Sequence, residues 1–306
     1  MGEIRAVGMV IYTYERLEER LDPLWDWLHR VEQWANRSYA EFNFASRARE
    51  SLRVWKATSQ NREKLYQRLQ TEQPWSEILF GWPRGALRDE TILKQGLFVA
   101  IKSRPQPERG MESYRTPSYV YLQAHPDVIQ ASTGGVEGFV RLGIAAWEIV
   151  EGVYGFIDVE TGIPLQDDIF RNAIHLFDST VPPEYHREFR AWQELMPKLD
   201  KRVWKAFWGN FLGAEHLRQL GGIQELRRAD PLYQLRPEYL AQAYQQGKEL
   251  LRASKSYVGW YELAGGGMLL TLSASPLEWF EKEVQERRER LQAVLAPIAL
   301  SVTPEE

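Results

Sequence analysis

Three large aromatic side chains fall within five residues at the start of WKAFWGNFLGAEHLRQLGG, residues 204–222. Trp204, Phe207 and Trp208 each carry too much apolar surface to stand together in water, so this stretch must be set into a core. The pattern predicts two short helical turns joined by a bend at Gly209 and Asn210. The second turn runs from Ala214 to Leu220 and stops at Gly221 and Gly222, a glycine pair suited to a helix C-terminus. The segment holds no nucleophile, no metal-ligand spacing and no phosphate loop. It is a signature of shape, and it favours a binding protein over an enzyme.

The core this motif must join is large. The 306 residues include twelve Trp, twelve Phe and fourteen Tyr, enough to fill an interior or to anchor an interface. Cysteine is absent, which excludes disulfides, thiolate catalysis and cysteine-based metal sites. No apolar run approaches the roughly 18 residues needed to cross a bilayer. The N-terminus shows no signal-peptide pattern, so a cytoplasmic, non-membrane protein is expected.

Alternation and helical spacing give an α+β reading. Residues 4–14 read as a strand and residues 15–37 as an amphipathic helix with a start or break near Asp22-Pro23. Residues 39–45 read as a second strand, followed by a basic, polar helical stretch over 46–72 that contains an Arg-rich insert. A hairpin is expected over 75–104, a loop over 105–118 and a strand over 119–124. Residues 134–152 form an apolar helix and 153–159 another strand. Residues 160–200, with four prolines, read as irregular, and 223–250 as a broken helix. Residues 256–273 pair across Ala264-Gly265-Gly266 as a hairpin. Ser275 and Pro276 open a last helix, with Glu278 completing a capping box and the helix running to Leu295. These elements make a mixed, mostly antiparallel sheet with flanking helices. The chain reads as one unit over 1–306, with two similar α/β halves, 1–124 and 125–306, as possible subdomains.

The sharpest hint of chemistry is GFIDVETG at 155–162. Alternation puts Asp158 and Glu160 on one strand face, and Asp-x-Glu-Thr resembles the first motif of DEDD exonucleases, whose carboxylates hold two divalent metals. The remainder of that pattern is missing. Only about a dozen residues separate this motif from the NAIHLFD stretch that would be the second, and no third motif follows. The surroundings are acidic, where a nuclease cleft is basic. Of the histidines, His29, His125, His175, His186 and His216, no two lie three or four apart, so no helical metal pair exists. There is no G-x-S-x-G, and neither glycine cluster is followed by Lys-Ser/Thr. No metal and no cofactor is expected.

Residues 207–222, then SYVGWYELAGGGMLLTLSASP at 256–276, then the closing helix at 277–298, resemble immunity proteins of type VI secretion and polymorphic toxin systems. The likeness is to the TsiV-type family and the related immunity protein 52 group, and it spans about residues 115–298. It implies a cytoplasmic α+β protein without catalytic residues that caps the active site of a cognate toxin, in this group often a nuclease.

Charge is distributed in keeping with such a partner. The net charge is −4, yet residues 121–200 alone hold thirteen acidic and five basic residues. An acidic surface repels nucleic acid and speeds association with a basic cleft. The expected contact residues are therefore Asp158, Glu160, Asp167, Asp168 and Asp178, with Tyr154, Phe170 and Tyr185 as aromatic anchors. A non-catalytic scaffold is the remaining alternative to immunity protein and exonuclease.

Overall fold

The computed structural model describes residues 3–46, 53–72, 74–88, 95–104, 115–161, 186–228 and 259–300. Ten strands form one antiparallel sheet: β1 (Ile4–Thr13), β2 (Glu41–Ser46), β3 (Trp55–Lys56), β4 (Trp75–Trp82), β5 (Leu97–Lys102), β6 (Ser118–Ala124), β7 (Tyr154–Thr161), β8 (Gly209–Leu212), β9 (Gly259–Leu263) and β10 (Gly267–Thr271). Their order is β3-β2-β4-β5-β6-β1-β7-β8-β10-β9. Strands from before and after residue 125 thus share one sheet, with β1 seated between β6 and β7. Around it lie helices α1 (Leu21–Ala35), α2 (Ser59–Thr71), α3 (Pro126–Ala131), α4 (Gly135–Val150), α5 (His186–Leu195), α6 (Ala214–Gln219), α7 (Ile223–Arg228) and α8 (Lys282–Leu295). The α+β class and the antiparallel sheet match the sequence pattern.

One face of the sheet is covered by α1 and α4. Leu21, Leu24, Trp27, Leu28, Val31 and Trp34 put the buried stripe of α1 at helical spacing. The helix ends at Asn36, whose left-handed conformation (φ 52°) turns the chain out. Two tryptophans clamp α1 to α4: Trp27 Nε1 donates to the Leu142 carbonyl (2.9 Å) and Trp34 Nε1 to that of Gly135 (3.0 Å). Helix α4 lies very close to the sheet at Gly143, where a Cβ would come within 2.3 Å of Met9 Sδ. Helix α4 also makes the crossover from β6 to β7, which run parallel on either side of β1.

The opposite face is aromatic and polar. Strand alternation places Tyr12 on it, flanked by Tyr119 and Tyr154 through register pairs on β6 and β7. Trp192 of α5 packs on Tyr12 at 5.5 Å between ring centroids, Trp204 meets Trp192 edge-on at 5.6 Å, and Phe207 stacks on Phe156 at 4.0 Å. Helix α5 falls inside the 160–200 stretch read as irregular. Pro197 falls just after this helix, in the 3-10 turn Met196–Lys198, and so does not interrupt it.

Local differences from the sequence reading have local causes. Within 46–72 the chain makes the short edge strand β3 before α2, because Thr58 caps α2, its Oγ1 accepting from Asn61 N at 3.3 Å. Ser275 caps as expected, accepting from Leu277 N at 3.2 Å, but the turn it starts is a short 3-10 helix, and α8 begins at Lys282.

Candidate functional site

Strand β7 carries the acidic residues singled out by the sequence. Tyr154, Phe156, Asp158 and Glu160 alternate onto the face opposite α1 and α4, so the two carboxylates do share a face. All of β7 is buried, with Tyr154 1% and Asp158 and Glu160 each 5% exposed. That corrects the expectation that Tyr154, Asp158 and Glu160 meet a partner. On a central strand of the sheet, they are interior groups. Tyr154 is anchored, its hydroxyl accepting from Trp204 N at 3.3 Å. Asp167, Asp168, Phe170, Asp178 and Tyr185 lie outside the described residues.

Asp158 bears the cost of this position. Burial raises its carboxyl from 3.8 to about 6, against the pull of Lys205, a backbone hydrogen bond from Val159, and Arg288. Its Oδ1 has no hydrogen-bond partner. Across β1 its register partner is Gly8, and that of Glu160 is Ala6, neither of which can ligate a metal. Among the described residues no group of three His, Asp or Glu side chains is placed to hold a metal ion.

The 204–222 motif is built differently from the helix–bend–helix its spacing suggests. Residues 204–208 run into β8 without helical turns, and Gly209 opens a strand rather than breaking a helix. Gly209 lets β8 lie close against β7, where a Cβ would come to 3.0 Å from the Ile157 side chain. Asn210 holds the approach: its Oδ1 accepts from Phe207 N (2.9 Å) and its Nδ2 donates to Phe207 O (2.8 Å). Trp208 Nε1 donates to Ser273 Oγ (2.9 Å), tying the motif to the segment after β10. Phe207 and Trp208 are fully buried and Trp204 is half-buried. Helix α6 closes as predicted, with Gly221 and Gly222 at φ 78° and 92° and Gly222 N donating to Leu217 O (2.8 Å).

His216 is structural. Its Nδ1 accepts from Gly213 N (3.1 Å) and its Nε2 lies 3.2 Å from the Arg202 carbonyl. Burial lowers its pKa to about 4. A neutral ring protonated at Nε2 satisfies both partners.

Exposed charge gathers elsewhere. Glu15, Glu19, Asp22 and Asp26, before and along the start of α1, are exposed, as are Glu148 and Glu151 at the end of α4. Arg20 joins the two groups through an ion pair with Glu151. Asp22 and Asp26 lie four apart on α1, while Glu15 and Glu19 precede the helix in a bend and a 3-10 turn. Two acidic residues at the C-terminus of α4 oppose its dipole, so this acidity is not explained by helix stability.

Among the described residues no helix is long and apolar enough to cross a membrane. No protein-family model matches the sequence, and no curated protein matches it significantly. Among solved structures the fold is similar to the Pseudomonas aeruginosa T6SS protein PA0821, with a TM-score of 0.60 at 14% sequence identity. That likeness covers 98% of this chain and 74% of the other. At this identity it is a likeness of fold.

Proposed function

We propose that this chain is an immunity-type binding protein of a type VI secretion setting, of the TsiV-type or immunity protein 52 kind. In this reading it works in the cytoplasm and neutralises a cognate toxin by occluding its active site, without catalysis of its own. The observation that carries the proposal is the fold likeness to a T6SS protein along 98% of the chain. The use to which the notable side chains are put supports it: Asn210, Trp208 and His216 spend their hydrogen bonds on the fold.

The proposed partner has a basic cleft, as a nuclease would. With Asp158 and Glu160 interior, the exposed carboxylates where α1 starts and α4 ends are the described acidic surface suited to it. The exonuclease alternative keeps one observation, the shared face of Asp158 and Glu160. Co-expression with a candidate cognate toxin, sought among the genes beside this one, tests the proposal. Restored growth together with a co-eluting complex on gel filtration is expected. Toxicity unchanged by co-expression, with the two proteins eluting separately, rejects it.

A further inference from the structure

Among the buried polar atoms for which no hydrogen-bond partner is found on the second face of the sheet, two lie in one cross-strand row. Asp158 Oδ1 belongs to a side chain 5% exposed, and Gln123 Nε2 to one 4% exposed. They lie on either side of the same residue: Gly8 of β1 pairs in register with Asp158 on β7 and with Gln123 on β6. Cross-strand partners point to one face, so Asp158, Gly8 and Gln123 form a row across three strands whose middle member has no side chain. Tyr121 fixes the chemistry at one end. Its hydroxyl donates to Gln123 Oε1 at 2.8 Å, which leaves Nε2 as the group without a partner. At the other end Asp158 Oδ1 is an acceptor when ionised.

We propose that a buried water molecule sits over Gly8, accepting a hydrogen bond from Gln123 Nε2 and donating one to Asp158 Oδ1. Direct contact between the two side chains is disfavoured by distance, since two strand spacings of about 4.8 Å separate their Cα atoms by about 10 Å. Two hydrogen bonds of about 2.8 Å span about 5.6 Å, and the two side chains lean across the rest. A polar site offering both a donor and an acceptor is the kind that retains an internal water, whereas apolar voids stay dry. The alternative leaves a buried donor and a buried acceptor unmade within one row, an arrangement native interiors avoid. The charged neighbours of Asp158, Lys205 and Arg288, make a bound metal cation a poor occupant. A neutral water suits both ends of the row.

The test is a double-substitution cycle paired with a direct reading of the wild-type chain. Gln123→Met and Asp158→Leu each remove one end of the bridge; the added volume of Leu and the loss of the Tyr121 acceptor occur in the single and double variants alike and cancel in the cycle. Residues this far apart with no shared partner give unfolding constants that multiply to within about twofold. A shared water makes the double variant depart from that product by about fivefold or more, because the second substitution no longer strands a group. In the unsubstituted protein labelled with nitrogen-15, the Gln123 side-chain amide should show cross-relaxation to a long-lived water. Multiplicative behaviour within twofold overturns the proposal, and so does a resolved Gln123 amide with no water cross-peak. The wild-type measurement decides the matter if either variant does not fold.

Discussion

Replacing Asp158 by Asn should make the protein more stable at neutral pH and leave it unchanged in acid. The folded chain holds the Asp158 carboxyl at about 6, against 3.8 for a solvated one. A rise of about two pH units is about 3 kcal/mol at 1.36 kcal/mol per unit. The direction follows from linkage. Because the folded value lies above the unfolded one, the fold prefers the protonated acid, and Asp158 costs nothing below about pH 4. The cost grows as pH rises between about 4 and 6 and is complete above that. Asn keeps the shape of the neutral acid and cannot ionise, so it escapes the cost. The expected gain is about 1–3 kcal/mol at pH 7.5, falling towards zero at pH 4. Urea unfolding of both proteins at pH 4, 5, 6 and 7.5 measures the difference directly, with other titrating groups cancelling between them. An Asn variant less stable than wild type at pH 7.5, or a difference that does not change with pH, would refute the reasoning.

Three further outcomes follow from the 204–222 motif. Asn210→Ala strands the Phe207 N–H and carbonyl in the interior and should cost about 2–4 kcal/mol in denaturant unfolding. Gly222→Ala meets open space, with nothing within 4 Å of the added Cβ, so its cost should be the left-handed backbone alone, about 1–2 kcal/mol by the same assay. His216, with its pKa lowered to about 4, should show the neutral Nε2–H form by NMR down to pH 5. Its contribution to stability is present above the unfolded value of about 6.5 and is lost as pH falls through about 4.

The sequence displays elements whose signals are local. The β1 strand, the α1 stripe and the hairpin of β9 and β10 are legible because alternation, helical spacing and a glycine turn all act over a few residues. Residues 204–208 were misread because Trp204, Phe207 and Trp208 have helical spacing, yet each ring answers to a different partner: Trp192, Phe156 and Ser273. Those partners are distant in sequence, and tertiary packing overrides the spacing. The same holds for Asp158 and Glu160. Alternation correctly put them on one face, but which face of a central strand is covered depends on α5 and the 204–208 segment. The i, i+4 spacing of Asp22 and Asp26 is readable, while the meeting of this acidic group with Glu148 and Glu151 depends on how α1 packs against α4.

The central claim is stoichiometric occlusion of a toxin, and inhibition titration tests it most directly. A purified candidate toxin is held at a fixed concentration, well above its expected Kd, while this protein is added. The account predicts activity that falls linearly and ends at one equivalent, with the toxin chain intact afterwards. Full toxin activity at tenfold excess contradicts it, and so does loss of activity through sub-stoichiometric turnover.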